Sequence, residues 1–355
     1  MNKAYSIVWN SSRQAWVVAS ELARGHGFVL AKNIILPMAI ASSIGASWAQ
    51  EPNTHIGNGK FESNTSVSKS QIVYSGGHTS NVTILQGGTQ NVNNSGYTSS
   101  THINNSGTQV VGNLGSSFDT VVSSGGKQTV NSGGTATGTK LSGGTQNVSS
   151  GGKAIDAEVY SGGKQTVYSG GTATGTKLSG GTQNVSSGGS ATSTVVNSSG
   201  TQNIYSAGNA ISATINSSGT QNILSGGTAS GTVVNTSGFQ RVSAGGTATG
   251  TKLSGGTQNV SSGGKAIDAE VYSGGKQTVY SGGTATGTKL SGGTQNVSSG
   301  GSATSTVVNS SGTQNIYSAG NAISATINSS GTQNILSGGT ASATVVNTSG
   351  FQRVS

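Results

Sequence analysis

One stretch, SGGTQNVSSGGKAIDAEVY at residues 142–160, recurs with small changes from about residue 68 to residue 355. Equivalent glycine corners open at Ser68, Gln86, Asn105, Ser124, Ser142 and onward to Thr348, in steps of 18 or 19 residues that make fifteen full periods. A period of this length belongs to stacked architectures, in which each unit buries its apolar face only against its neighbours. A longer repeat lies on top. Residues 133–243 recur as residues 245–355, offset by 112 positions, and differ only at Gly231 against Ala343.

Within one unit, strand alternation places Gln146 and Val148 on one face, and Ala157 and Val159 on one face of the second side. The positions between them are tolerant, with Thr145 or Lys164, Asn147 or Thr166, Glu158 or Lys140. Small or β-branched residues inside and variable polar residues outside are what a narrow coil requires. Two corners are visible, Ser142-Gly143-Gly144 and Ser150-Gly151-Gly152, where paired glycines let the chain turn through positive φ. The fold expected is all-β, a parallel β-helix with about one turn per unit. The Gln at positions 90, 109, 128, 146 and onward to 352 is expected inside, its amide bonding to the rungs above and below.

Composition narrows the function classes. Glycine accounts for 60 of 355 residues, charged residues for 7%, and cysteine is absent, which removes a disulfide framework and thiolate metal sites. The formal charge is +9, of which +3 lies in the first 49 residues. The remaining positives are spread at one or two per turn (Lys140, Lys153, Lys164, Lys177), without the basic, aromatic-interleaved stripe of a nucleic-acid surface. The acids Asp156 and Glu158, duplicated as Asp268 and Glu270, alternate on a strand and solvate an outer face. His55, His78 and His102 lack metal-ligand spacing. No catalytic constellation, metal site or cofactor is expected. Thr135, Thr137 and Thr139 form an exposed run of the kind that orders water on ice-binding solenoids, but the runs are interrupted between turns.

Residues 1–49 differ in kind from the rest. An apolar run at 34–46 follows Arg24 and Lys32 and ends in Ser47-Trp48-Ala49, which predicts a secretory signal cleaved between Ala49 and Gln50. About 13 residues, broken by Pro37 and Gly45, are too few for the ~20 of a membrane-spanning helix. Residues 50–66 break the period and are expected as an N-terminal segment that caps the coil. Residues 67–355 form the solenoid.

The motifs Met1-Asn2-Lys3, Trp9-Asn10, Trp16-Val17-Val18 and Ser20-Glu21-Leu22-Ala23-Arg24 resemble the extended signal region of Gram-negative type V secretion proteins. The repeat SGGTQNVSSGGKA resembles the passenger of the diffuse-adherence (AIDA) family of self-associating autotransporter adhesins. That resemblance implies export through the inner membrane to the periplasm, then display on the bacterial surface or release. It further implies adhesion to a host-cell receptor, self-association, and O-heptosylation of Ser and Thr by a cytoplasmic protein O-heptosyltransferase, as in the TibA-like adhesins. The candidate acceptors are the corner serines, which turn chemistry alone would also favour. On the first corner these are Ser142, Ser161, Ser179, Ser198, Ser254, Ser273, Ser291 and Ser310. On the second they are Ser150, Ser169, Ser187, Ser225, Ser262, Ser281, Ser299 and Ser337. Spacing does not select among them.

Two other readings stand beside the adhesin. A β-helix carbohydrate-active enzyme calls for long period-breaking loops and an acid or Arg cluster, and residues 124–355 have neither. A mechanical stalk for a further domain is compatible with the pattern. The sequence ends inside a repeat and shows no C-terminal translocator barrel of alternating strands, so it is expected to be part of a longer autotransporter.

Overall fold

The computed structural model describes residues 5–10, 15–20 and 54–355, apart from Ser132 and Ser150. The chain divides into two compact units, Met1–Trp48 and Ala49–Ser355. In the first, Tyr5–Asn10 pairs antiparallel with Ala15–Ser20, with Trp9 opposite Trp16. The apolar run at 34–46 and the Ala49/Gln50 cleavage position lie outside the described residues. No helix among the described residues is long and apolar enough to cross a membrane.

The second unit is a parallel β-solenoid. Its strands stack into three sheets, two of them 16-stranded, and every strand-to-strand pairing among the described residues of this unit is parallel and in register from one repeat to the next, with isolated antiparallel bridges only at corners such as Ser123 to Gly143. One turn reads Thr145–Val148 in the first sheet, Lys153–Ile155 in the second and Glu158–Tyr160 in the third. With rungs about 4.8 Å apart, sixteen turns make a rod of about 75 Å.

The turn is three-sided, not two-sided as the sequence pattern alone implied. Residues 153–160 are not one segment, because Asp156 adopts φ +51° and breaks them into two strands. The equivalent positions Gly138, Gly175, Ser193, Ser212 and Asp268 also have positive φ. This bend shifts the alternation by one residue. Ala154, Ala157 and Val159 therefore all point inward and are buried. It also corrects the Thr135/Thr137/Thr139 run: Thr139 lies just past the bend and is fully buried, while Thr135 and Thr137 stay outside.

The coil starts before the period becomes regular. Thr54–Ile56, Phe61–Ser63 and Ser66–Val67 pair with the strands of the next turn in the three sheets, so the segment expected as a cap supplies the first rung. On its outer side Phe61, His78, Tyr97 and Phe118 form a column of ring contacts with centroids 4.4–5.0 Å apart.

The core is two apolar columns with a polar one. Val148 and Ala154 belong to one buried cluster that runs along the rod, and Leu141, Val159 and Leu178 to another. The expected Gln ladder is present and unbroken. Each Gln Nε2 donates to the Oε1 of the Gln one turn earlier, from Gln90 to Gln71 through Gln352 to Gln333, at 2.6–2.8 Å. From Thr120 onward, where the residue after the bend is Thr, its hydroxyl donates to the same oxygen: Thr139 to Gln128 at 3.0 Å, Thr194 to Gln183 at 3.1 Å. Both lone pairs of such an oxygen are then used. All the amides point the same way, with donors toward the N-terminal end. There Gln71 Nε2 donates to the inward-facing carboxylate of Glu62 at 3.3 Å.

The two corner glycines serve different ends. Gly162 takes φ +76°, and Ser199 fills the same place at φ +63°. A Cβ on Gly163 would fall 2.4 Å from the Leu141 carbonyl oxygen of the turn before, and every such second position from Gly88 to Gly350 is glycine.

Two outcomes are expected. Gln202→Ala removes the acceptor of Gln221 and the donor to Gln183, so local stability falls by about 1–3 kcal/mol. Hydrogen exchange reads this as faster exchange in the rungs around residues 183–221, with rungs near Gln90 unchanged, because coupling in a stacked array is nearest-neighbour. Gly163→Ala opens the corner and exposes the Lys164 amide that bonds Gly144, whereas Gly162→Ser costs about 1 kcal/mol. Equal loss of thermal stability in the two variants would contradict this division of roles.

Candidate functional site

Three edges run the length of the rod, one at each corner of the triangular turn. At the first, Tyr160 C=O accepts from Gly163 N–H at 2.8 Å, closing a tight turn around Ser161 and Gly162. At the second, Tyr168 C=O accepts from Gly171 N–H at 2.9 Å around Ser169 and Gly170. Such turns present the serine side chain outward, since the backbone groups are used within the turn and between rungs.

The described candidate serines are all exposed. Ser142, Ser161, Ser179, Ser198, Ser254, Ser273, Ser291 and Ser310 line the first edge. Ser169, Ser187, Ser225, Ser262, Ser281, Ser299 and Ser337 line the second. Ser150 lies outside the described residues. The two sets stand on different edges, each rising by about one rung spacing, ~4.8 Å, wherever successive turns carry serine. The arrangement is a display of hydroxyls along the outside of a stiff support. It is not a pocket.

The third edge went unread in the sequence. Ser193, Ser212, Ser305 and Ser324 sit at the bend with φ of 53–55° and are exposed. The signal was present, since that position holds only Gly, Asp, Ser or Ala from Gly138 onward, and Gly, Asp and Ser are residues that suit turns. It was masked because the residues on either side still resemble one continuous strand.

Charge near the first edge is local and largely self-compensated. Lys140, Glu158 and Lys177 are register partners on the third sheet, as are Lys252, Glu270 and Lys289. Lys252 Nζ lies 3.9 Å from Glu270 Oε2, the lysine exposed and the glutamate half-buried, a surface contact that adds little to stability. Tyr160 Oη donates to Glu158 Oε2 at 2.5 Å and Tyr272 Oη to Glu270 Oε2 at 2.6 Å. That hydrogen bond, with smaller contributions from desolvation and the carboxylate charge, holds both phenols above their ordinary pKa. The neighbouring Asp156 and Glu158 do not converge. Asp156 is at the bend, and Glu158 is engaged on the third sheet by its tyrosine.

The histidines are also apart. His55 meets Tyr74 edge-on at 6.2 Å, His78 lies between Phe61 and Tyr97, and His102 is exposed on the third sheet. Among the described residues no three His, Cys, Asp or Glu side chains gather where they could hold a metal ion.

Comparison with known proteins agrees with this surface. Residues 1–31 match the family model of the Extended Signal Peptide of Type V secretion system. A solved structure, that of the TibC-catalysed hyper-glycosylated TibA fragment, superposes with a TM-score of 0.61 at 37% identity, covering 86% of this chain and 97% of that one. This chain is an AIDA/TibA-type autotransporter passenger. The autotransporter adhesin AIDA-I of Escherichia coli is 57% identical over 76 residues, which is 21% of this chain and 6% of the adhesin. The chain thus spans a small part of the length of that curated relative. As a passenger of this family it is exported on the type V route for surface display or secretion.

The tyrosine contact gives a simple test. In a near-ultraviolet pH titration, Tyr160 and Tyr272 are expected to ionise above the usual value near 10. Replacing Glu158 and Glu270 by Gln is expected to remove that upward shift.

Proposed function

We propose that this passenger is an adhesive rod whose corner hydroxyls are modified by a protein O-heptosyltransferase, and that it mediates host-cell adhesion and bacterial self-association. The observation that carries the reading is the exposure of every described candidate serine along two continuous edges. The hyper-glycosylated TibA fragment supports it, as a relative of similar fold whose sugars were added by TibC. Modification at these places leaves the core untouched, since the inward Gln, Val and Ala columns share no atoms with the edges. Weak contacts repeated along a rigid support then add as avidity, so many modest sites suffice for firm attachment. In this reading residues 1–49 are removed after Ala49, and the first turn serves as the end cap of the displayed rod. The adhesin relatives favour binding over catalysis.

The test is intact mass of the chain purified from cells with and without a candidate heptosyltransferase. A ladder of added heptose masses is expected only with the enzyme, and fragmentation places the sugars on the corner serines. The triple variant Ser142→Ala, Ser161→Ala, Ser179→Ala should fold normally and lose up to three additions. An unchanged mass beside an active enzyme overturns the acceptor role. Cell settling that is the same with and without the passenger overturns self-association.

A further inference from the structure

Beside the second serine edge, and taking in its Ser262, an open groove lies where the two 112-residue copies meet. Its sides are Arg241, Ser243, Asn259, Ser261, Ser262 and Tyr280. Arg241 and Asn259 are register partners on the outer face of the first sheet, one rung apart. Ser243, Ser261 and Tyr280 each directly follow the first-sheet strand of three successive rungs. The guanidinium is positioned by its own strand, with Cζ 5.8 Å from the centre of the Phe239 ring. No acid lines the groove, so nothing in it neutralises that charge.

These groups make a specific combination. A guanidinium offers paired N–H donors that match a carboxylate. An amide and three hydroxyls offer the mixed donors and acceptors that sugar hydroxyls require. A half-exposed tyrosine, 40% accessible, offers an aromatic face to the apolar side of a pyranose. We infer that this groove binds an acidic saccharide, a uronic-acid residue whose carboxylate meets Arg241 while its ring lies against Tyr280. If the rod is an adhesin, this is one place where it meets a surface glycan, but the site itself does not depend on that role or on heptosylation.

The duplication supplies an internal control. Six turns earlier Tyr168, Asn147 and Ser149 repeat Tyr280, Asn259 and Ser261, but Thr129 and Asn131 stand in the places of Arg241 and Ser243. One half of the recognition is therefore present twice, and the cationic half is joined to it once among the described residues.

The experiment is calorimetric and NMR titration of the full chain, made without any heptosyltransferase, with a galacturonate trisaccharide, using the neutral galactose trisaccharide as control. Saturable binding of the acidic sugar at one site per chain is expected, with the neutral sugar at least tenfold weaker. Arg241→Gln should weaken binding tenfold or more and Tyr280→Ala several-fold. Arg353→Gln removes the same charge from the last strand, and Tyr168→Ala removes the matching ring, and both should leave affinity unchanged. Thr129→Arg together with Asn131→Ser should raise the stoichiometry from one to two. Absence of saturable binding, or equal loss in Arg241→Gln and Arg353→Gln, would show only general charge attraction and overturn the site.

Discussion

The amide ladder of glutamines is the interaction on which the rest of this rod depends. A narrow coil built from Ser, Thr, Gly and Val has little apolar volume per turn, so packing alone defines the alignment of adjacent turns weakly. A buried amide that must meet the amide above and the amide below removes that freedom. A slip of one residue would turn Thr or Asn inward and leave a column of donors and acceptors unpaired. The bonds are short and unbroken from Gln71 to Gln352, and from Thr120 onward the threonine past the bend fills the second lone pair where it occurs. Register is thereby carried from each turn to the next without any long-range contact.

That locality also explains how this chain tolerates change. Each rung is satisfied by its neighbours, so a block of six turns can be duplicated without disturbing the rest. Outward positions are freer still. The register column that contains Arg241 also carries Asn203, Asn222 and Asn259, with asparagine amides bonding to one another along parts of it. A surface that accepts Lys, Asn, Arg or Tyr on an invariant core is a support on which contacts can be placed at will. The hydroxyl edges use this freedom uniformly and the Arg241 groove uses it once.

Much of this was legible in the residues. The period, the inward Gln and Val, and the exposed corner serines all follow from alternation and from glycine spacing. The third side went unread, because the residues around Asp156 resemble one continuous strand and the run of Gly, Asp, Ser and Ala at that position was its only trace, which the positive φ turns into a corner. For the same reason Thr139 looked like part of an outer threonine run and is in fact a buried partner of Gln128. Residues 54–67 were hard to read as a rung because their spacing departs from the period and Glu62 stands where later turns carry small residues. Backbone pairing enrols them, and Ile56 and Val67 then extend the two apolar columns.

The amino-acid sequence by itself determined that the chain is a stack, what stands inside it and that its outside is polar and repetitive. Those properties are local, set by alternation and by glycines that no other residue can replace at a 2.4 Å approach. The tertiary structure decided how many sides each turn has, which hydroxyls share an edge and which outward groups become neighbours. Arg241 and Tyr280 are 39 residues apart in the chain, and only the stacking of rungs puts them on one groove. Coiling turns a separation of two periods into a distance of about 10 Å, and no one-dimensional pattern records that conversion.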